Sequence, residues 1–183
     1  MGKTGHLIPN EIKFIVEDSD YTGIDTFVET GTYIGMSTLE ASKTFKNCHT
    51  IEIVEDLSNQ AKENCKSANN IVFHVGHSLE VLPDLVPQVN TGCFWFIDAH
   101  HASPETGFRG QHAPLLTELE LILDNLNSGY QHIFVFDDVR LFAQHWDWEK
   151  ISLKAIQETF SIRNKTIDKQ YTLNDRYIVC MKY

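Results

Sequence analysis

Nowhere in the 183 residues is there a stretch of about twenty apolar residues, so no segment has the length to cross a membrane as a helix. Basic runs never exceed two residues, and 15 lysines and arginines stand against 25 aspartates and glutamates. The net charge of −10 repels a phosphate backbone over most of the surface and argues against nucleic acid as a partner. There is no Cys-x-x-Cys pair. Cys48, Cys65, Cys93 and Cys180 are scattered, two of them in apolar runs, and read as reduced packing residues. The opening Met-Gly-Lys-Thr-Gly-His lacks the charged-then-apolar pattern of a signal peptide, and His6 stands where myristoylation wants Ser or Thr. With neither repeats nor low-complexity linkers, these absences leave one domain spanning 1–183. It is expected to be cytoplasmic, free of the membrane, and open to forming a homodimer.

What is present suits one core. A chain 42% hydrophobic and 11% aromatic can hide roughly two thirds of its unfolded surface. After a short helix near Asn10 to Asp18, apolar runs read as strands at Thr26–Glu29, His49–Ile53, Ile71–Val75, Cys93–Asp98 and Ile133–Asp137. Helical patterns lie between them at Ser37–Lys46, Leu57–Ala68, Leu79–Val86 and Pro114–Leu126. This alternation predicts right-handed βαβ units and a parallel sheet. A further helix at about Trp148–Phe160 leads into two strand-like runs, Ser161–Lys169 and Arg176–Met181, parted by Leu173-Asn-Asp175. They read as a hairpin that ends the sheet with an antiparallel strand. The fold class is therefore α/β, a Rossmann-like doubly wound sheet.

Three segments carry the chemistry. In Phe27-Val-Glu-Thr-Gly-Thr-Tyr-Ile-Gly-Met-Ser-Thr38 a buried strand turns at Gly31 and Gly35 into a helix, while Phe96-Ile-Asp-Ala-His-His101 and Phe134-Val-Phe-Asp-Asp-Val139 are apolar strands that end in aspartate. In an open parallel sheet such ends share one crevice, where ligands bind. The glycine turn is no Walker loop, since no Gly-Lys-Ser/Thr follows, and its spacing is not Gly-x-Gly-x-x-Gly. Glu29 inside it sits poorly beside a pyrophosphate but suits an ammonium or other positive group. Glu52 ends the second strand about twenty residues beyond Gly31, where a carboxylate can take both hydroxyls of a ribose. The third strand ends Val75-Gly-His-Ser78, offering His77 and Ser78 to an adenine. Taken singly, each of these residues is equally a packing turn or a solvated strand end.

In series, Glu29-Thr-Gly-Thr-Tyr-Ile-Gly-Met-Ser37, Glu52, Gly76-His-Ser78, Ile97-Asp98 and Asp137-Asp138 resemble the successive motifs of class I S-adenosylmethionine-dependent methyltransferases. The metal-dependent O-methyltransferases of the catechol and macrolide-sugar types are the most similar. The resemblance covers about residues 26 to 140 and implies seven strands, the last antiparallel. It places Glu29, Gly31, Thr32, Tyr33, Gly35 and Ser37 along the methionine half of S-adenosyl-L-methionine, Glu52 on the ribose, His77 and Ser78 at the adenine, and Asp98 beside the cofactor. It further implies Mg2+, or another divalent cation, on Asp98, Asp137 and Asp138. The chain is also similar to small proteins in which an Ile-Asp-Ala-His-like strand end precedes a Pro-Leu-Leu-x-Glu-Leu-Glu helix.

The chemistry explains the carboxylates. Magnesium takes hard oxygen ligands in an octahedral array, and vicinal hydroxyls bound to it lose a proton more readily. Without a cation, three neighbouring aspartates would repel and some would stay protonated. His101 falls where catechol-type relatives carry a lysine base, and an imidazole has the pKa to accept a hydroxyl proton. His100, His101 and Asp98 are thus the candidate catalytic residues. An alternative places His100 or His101, with His112, on a transition metal, and another leaves them as loop residues. Arg109 in the polar loop 99–113 offers a cation to an acidic substrate or pairs with Glu105. Trp146 and Trp148 either stack on an acceptor ring or pack on the sheet. Only about twenty-five residues precede the first strand, so the acceptor is expected to be gripped by these two loops or by a neighbouring subunit. The expected activity is methyl transfer to a small hydroxylated acceptor, a sugar or catechol-like molecule. The alternatives are a hydroxylase or lyase on the same fold and a non-catalytic binding protein.

Overall fold

A computed structural model describes residues 5–100, 113–144 and 146–183. His101, Glu105, Arg109 and His112 lie outside the described residues, as does the side chain of Trp146. The chain runs α1 (Pro9–Ser19), β1 (Ile24–Thr30), α2 (Met36–Ala41), β2 (Asn47–Glu52), α3 (Glu55–Asn64), β3 (Ile71–Val75), α4 (Ser78–Leu85), β4 (Gly92–Ile97), α5 (Leu115–Asn125), β5 (His132–Phe136), α6 (Leu153–Ile162), β6 (Thr166–Leu173) and β7 (Arg176–Lys182). One seven-stranded sheet has the order β3-β2-β1-β4-β5-β7-β6. The first five strands are parallel; β7 runs antiparallel to β5 and to β6. This is the Rossmann-like mixed sheet expected from the sequence.

Alternation along the central strands builds two cores. Val28, Trp95, Ile97, Phe134 and Phe136 point to the face covered by α4, α5 and α6. Phe27, Phe94, Phe96, Ile133 and Val135 point to the face that packs on Ile12 and Ile15 of α1 and Ala41 of α2. Burial on both faces is why these strands read as continuous apolar runs. Boundaries differ from expectation at three helices and one strand. Helix α3 spans Glu55–Asn64 rather than Leu57–Ala68, and the run read as a strand at Ser161–Lys169 gives up Ser161 and Ile162 to α6, β6 starting at Thr166 and reaching Leu173. Helix α2 stops at Ala41 rather than Lys46. The last helix begins at Leu153 because Ser152 caps it, its hydroxyl accepting from the Ala155 N–H at 3.0 Å, and the chain at Trp146–Lys150 is a 3-10 turn.

The carboxyl ends of the parallel strands are laced together by backbone bonds one step beyond the ladder. Gly31 N–H donates to Ile51 O (3.0 Å), Gly76 N–H to Glu52 O (2.9 Å), Asp98 N–H to Thr30 O (3.2 Å) and Asp137 N–H to Ile97 O (3.2 Å). Every segment singled out for chemistry therefore leaves the sheet along one edge. The order in which strands are added reverses between β1 and β4, which run parallel, and this puts the switch point of the topology in the middle of that edge.

Candidate functional site

Gly31 makes this edge tight. Its φ is +84°, and a Cβ there would sit 2.7 Å from Asp98 O and 3.0 Å from Ala99 Cα. The end of β1 thus lies directly against the end of β4, which only glycine permits. The turn continues through Tyr33, a non-glycine residue in the left-handed region (φ 49°) that is 53% exposed.

Glu29 is fully buried beneath α2, its carboxylate accepting from the hydroxyls of Thr38 and Thr50 (2.7 Å to the latter), with Thr32 a further 2.5 Å from Thr50. Burial pushes its pKa up to about 8, against the pull of these hydroxyls. Ser37, also buried, accepts from the Leu7 N–H at 3.1 Å. Glu52 takes the N–H of Tyr33 on one oxygen (2.7 Å) and that of Val54 on the other (3.0 Å), and burial raises its pKa. It pins the glycine turn to the end of β2 and leaves further lone pairs for hydroxyl donors. At the next strand end His77 caps α4, its Nδ1 accepting from the Leu79 N–H (3.1 Å), with buried Ser78 beside it.

The acidic corner lies across the switch point. Asp98, His100 and Asp138 are, among the described residues, the group of metal-ligating side chains whose donor atoms all lie within 4.8 Å of one another. His100 bridges the two carboxylates, with Nδ1 3.5 Å from Asp98 and Nε2 3.3 Å from Asp138. Burial lowers its pKa, but the hydrogen bond and charge of Asp98 and the charge of Asp138 outweigh it and bring the imidazole to about 9. In this state an imidazolium fills the space a cation would take. Asp138 holds a left-handed corner (φ 60°) and shares its other oxygen with Arg140, which also pairs with Asp175 in the β6–β7 turn. Asp137 points elsewhere, to Arg176, whose Nε lies 3.3 Å from its Oδ1 without hydrogen-bond alignment. Burial and the charge of Asp98 still raise Asp137 to about 7. Arg176 is buried and also grips both oxygens of Glu11 on α1 at 2.9 and 3.0 Å. Trp148 packs edge-on to His100 and stacks on Phe142, the packing alternative of the sequence reading.

The donor set fits a divalent cation in chemistry: two carboxylates and one imidazole, which suits a first-row transition ion at least as well as magnesium. A cation there would replace the proton that His100 carries and part of the Arg140 contact. Sequence reasoning missed Glu11, Arg176 and Glu118, the last a fully buried acid below Thr30. Glu118 left a signal, since it shares the helical face of Leu115, Leu119 and Ile122.

These shifts set the pH dependence of stability. Glu29 (about 8), Glu118 (about 7), Asp137 (about 7) and His100 (about 9) bind protons more tightly folded than unfolded, so their contribution is complete at low pH and is lost as pH rises through those values. His49 and His132, held near 4 by burial, act oppositely, their contribution being lost as pH falls below about 6.5 toward 4. The two sets oppose each other below pH ~6.5, and above it only the first remains. Unfolding free energy in urea is expected to drop by several kcal/mol between pH 6.5 and 9, chiefly through His100 and Glu29. A flat profile over that interval would mean that these groups titrate in the folded protein as they do in the unfolded one.

No protein-family model matches the chain, and no curated protein matches it in sequence. Solved structures do match its fold. A protein from Staphylococcus aureus, provisionally named a caffeoyl-CoA O-methyltransferase, superposes with a TM-score of 0.67 at 18% identity over 100% of this chain and 86% of that one. A SAM-dependent methyltransferase from Aquifex aeolicus gives 0.62 at 13% identity over 94% and 88%. A precorrin-8w decarboxylase from Methanobacterium thermoautotrophicum gives 0.56 at 14% over 100% and 92%. SAM-dependent methyltransferases, O-methyltransferases among them, thus share this fold with a decarboxylase, and the likeness is one of fold.

Proposed function

We propose that this chain is a S-adenosylmethionine-dependent methyltransferase that methylates a hydroxyl of a small acceptor with the help of a divalent cation. The observation that carries the reading is the convergence, on one sheet edge with this strand order, of Glu29, Gly31, Glu52, His77, Ser78 and Asp98 around the switch point. In the transfer the acceptor oxygen forms a bond to the methyl carbon as the carbon–sulfur bond breaks, the acceptor loses its proton, and the sulfonium becomes a neutral thioether.

The residues would divide the work as follows. Glu52 receives the ribose hydroxyls, and His77 and Ser78 border the adenine. Gly31, Thr32, Tyr33, Gly35 and Ser37 shape the turn that passes the methionine half, with Glu29 holding that turn from below. Asp98 and Asp138 would hold a divalent cation, which would supply Lewis acidity to an acceptor hydroxyl. Asp137 would join it only by leaving Arg176. His100 at a pKa of about 9 is a donor at neutral pH. With a cation on the two carboxylates, the charge that holds its proton would be removed, leaving the imidazole neutral and able to serve as a ligand or as a proton acceptor. The acceptor is expected to be small and not strongly anionic, given the acidic corner.

Calorimetric titration of metal-stripped protein with S-adenosylmethionine and S-adenosylhomocysteine tests the cofactor half. Micromolar binding of both is expected, and no binding of either with or without added cation would end the assignment. Asp98→Asn is expected to lower transfer by about 100-fold while sparing S-adenosylhomocysteine binding to within about tenfold. Unchanged activity in that variant would remove the cation from the mechanism. A second reading is favoured by the pairing of both Asp138 oxygens with protein cations, which describes a corner that works without metal. Transfer by chelator-treated enzyme at the rate of cation-supplemented enzyme would select it. The same fold also carries a decarboxylase among the neighbours, so product analysis for a methylated acceptor separates transfer from other chemistry.

A further inference from the structure

We propose that Glu118 is a positioning residue for this site, holding the end of β4, and so Asp98, in register with the glycine turn through the hydroxyl of Thr30. The role rests on the methyltransferase reading for its ligand but not for its geometry. Glu118 lies in the first turn of α5 and is 0% exposed. Its Oε2 accepts from Thr30 Oγ1 at 3.2 Å, and Thr30 in turn accepts the Asp98 N–H, on its carbonyl at 3.2 Å and its hydroxyl at 3.3 Å. The Ser78 hydroxyl at the start of α4 is near enough to favour the ionised carboxyl, while Oε1 has no hydrogen-bond partner. One side chain on α5 thus reaches the segments proposed for the methionine half, the adenine and Asp98.

The energetics make a purely structural role a poor account. A leucine here would continue the apolar face of Leu115, Leu119 and Ile122, whereas a carboxyl pays for burial with an unsatisfied oxygen and is driven up to about 7. The first turn of a helix compensates a negative charge only in part. What the carboxyl offers and leucine lacks is an acceptor for Thr30, which fixes the direction of that hydroxyl and, through it, the Asp98 N–H. The matching acid on the other face of the sheet is Glu29, tied to hydroxyls of α2 and β2, so β1 leaves the sheet between two buried carboxyls.

The test compares Glu118→Leu, Glu118→Gln and Thr30→Val by S-adenosylhomocysteine titration well below their unfolding midpoints and by amide hydrogen exchange at Asp98. Glutamine keeps an acceptor and is expected to bind within about threefold of the parent, with leucine and Thr30→Val weaker by about thirtyfold. Asp98 exchange should quicken about tenfold in the latter two alone. A carboxyl that served stability only would lower the midpoint and leave affinity and Asp98 exchange unchanged, and that result overturns the proposal. Should Glu118→Leu fail to fold, Thr30→Val breaks the same relay from the other side, and parental affinity and exchange in it are equally fatal. If the parent itself binds no S-adenosylhomocysteine, the methyltransferase reading fails separately. Asp98 exchange then decides the positioning role alone, an unchanged rate refuting it.

Discussion

Gly31→Ala is expected to abolish binding of S-adenosylmethionine and to lower stability by about 3 kcal/mol. Two effects add. The backbone at φ +84° strains any residue with a Cβ, and the added atom would lie 2.7 Å from Asp98 O and 2.9 Å from Asp98 C, both backbone atoms that cannot swing aside. Relief requires the ends of β1 and β4 to part, which opens the Asp98 N–H to Thr30 O bond and displaces the acidic corner from the turn. Gly129→Ala is the control. Its φ is +90°, but nothing lies within 4 Å of the added carbon, so it carries the backbone strain alone, about 1 kcal/mol, and leaves binding intact. Urea denaturation and cofactor titration of the pair separate strain from collision; equal losses in the two would show that the β1–β4 contact is not what Gly31 protects.

Arg176→Met should be the most damaging single change away from the crevice, at about 3–5 kcal/mol. Arg176 is buried between Glu11 and Asp137, and methionine keeps the volume but leaves two buried carboxyls with no cation. Breaking such an arrangement by removing one partner costs more than the intact pairing contributes, because the remaining charge stays uncompensated. The loss has a pH signature of determined sign. Asp137 is already held near 7 with Arg176 present, so without it the carboxyl protonates still more readily, and the deficit shrinks as pH falls toward 5. Adding Glu11→Gln should recover part of the loss at pH 7.5. A deficit independent of pH and of Glu11 would mean that Arg176 acts by packing on Phe96 rather than by charge.

How much of this was legible in the chain follows from how local each cause is. The central parallel strands announced themselves because both faces are buried, and the hairpin because Leu173-Asn-Asp175 lies between two strand-like runs. The Glu29–Gly31 turn and the acids ending β2, β4 and β5 stood at fixed distances along the sequence, and the sheet brings those ends to one edge. The helix ends were less legible: a single serine cap at Ser152 outweighs the periodicity that runs back to Trp148. What the sequence could not display were the partners. Nothing near Asp137 foretells that it faces Arg176 while Asp138 turns to His100 and Arg140. That division depends on the left-handed backbone at Asp138 and on a turn some 35 residues further along. Glu118 was visible as an acid on an apolar helical face, but its link to Thr30 spans 88 residues.

The clasp of Glu11 by Arg176 joins groups 165 positions apart. Contacts of such span close late in folding, after the local helices and hairpin, because the loop they shut is long and its closure costs entropy before any contact rewards it. While it emerges from a ribosome, the chain therefore carries a nearly complete parallel sheet whose Asp137 has no cation until β7 arrives. Ordering of the Asp137 corner is then a late event of assembly. In refolding experiments it should appear in the slowest phase, well after the helical signal has recovered.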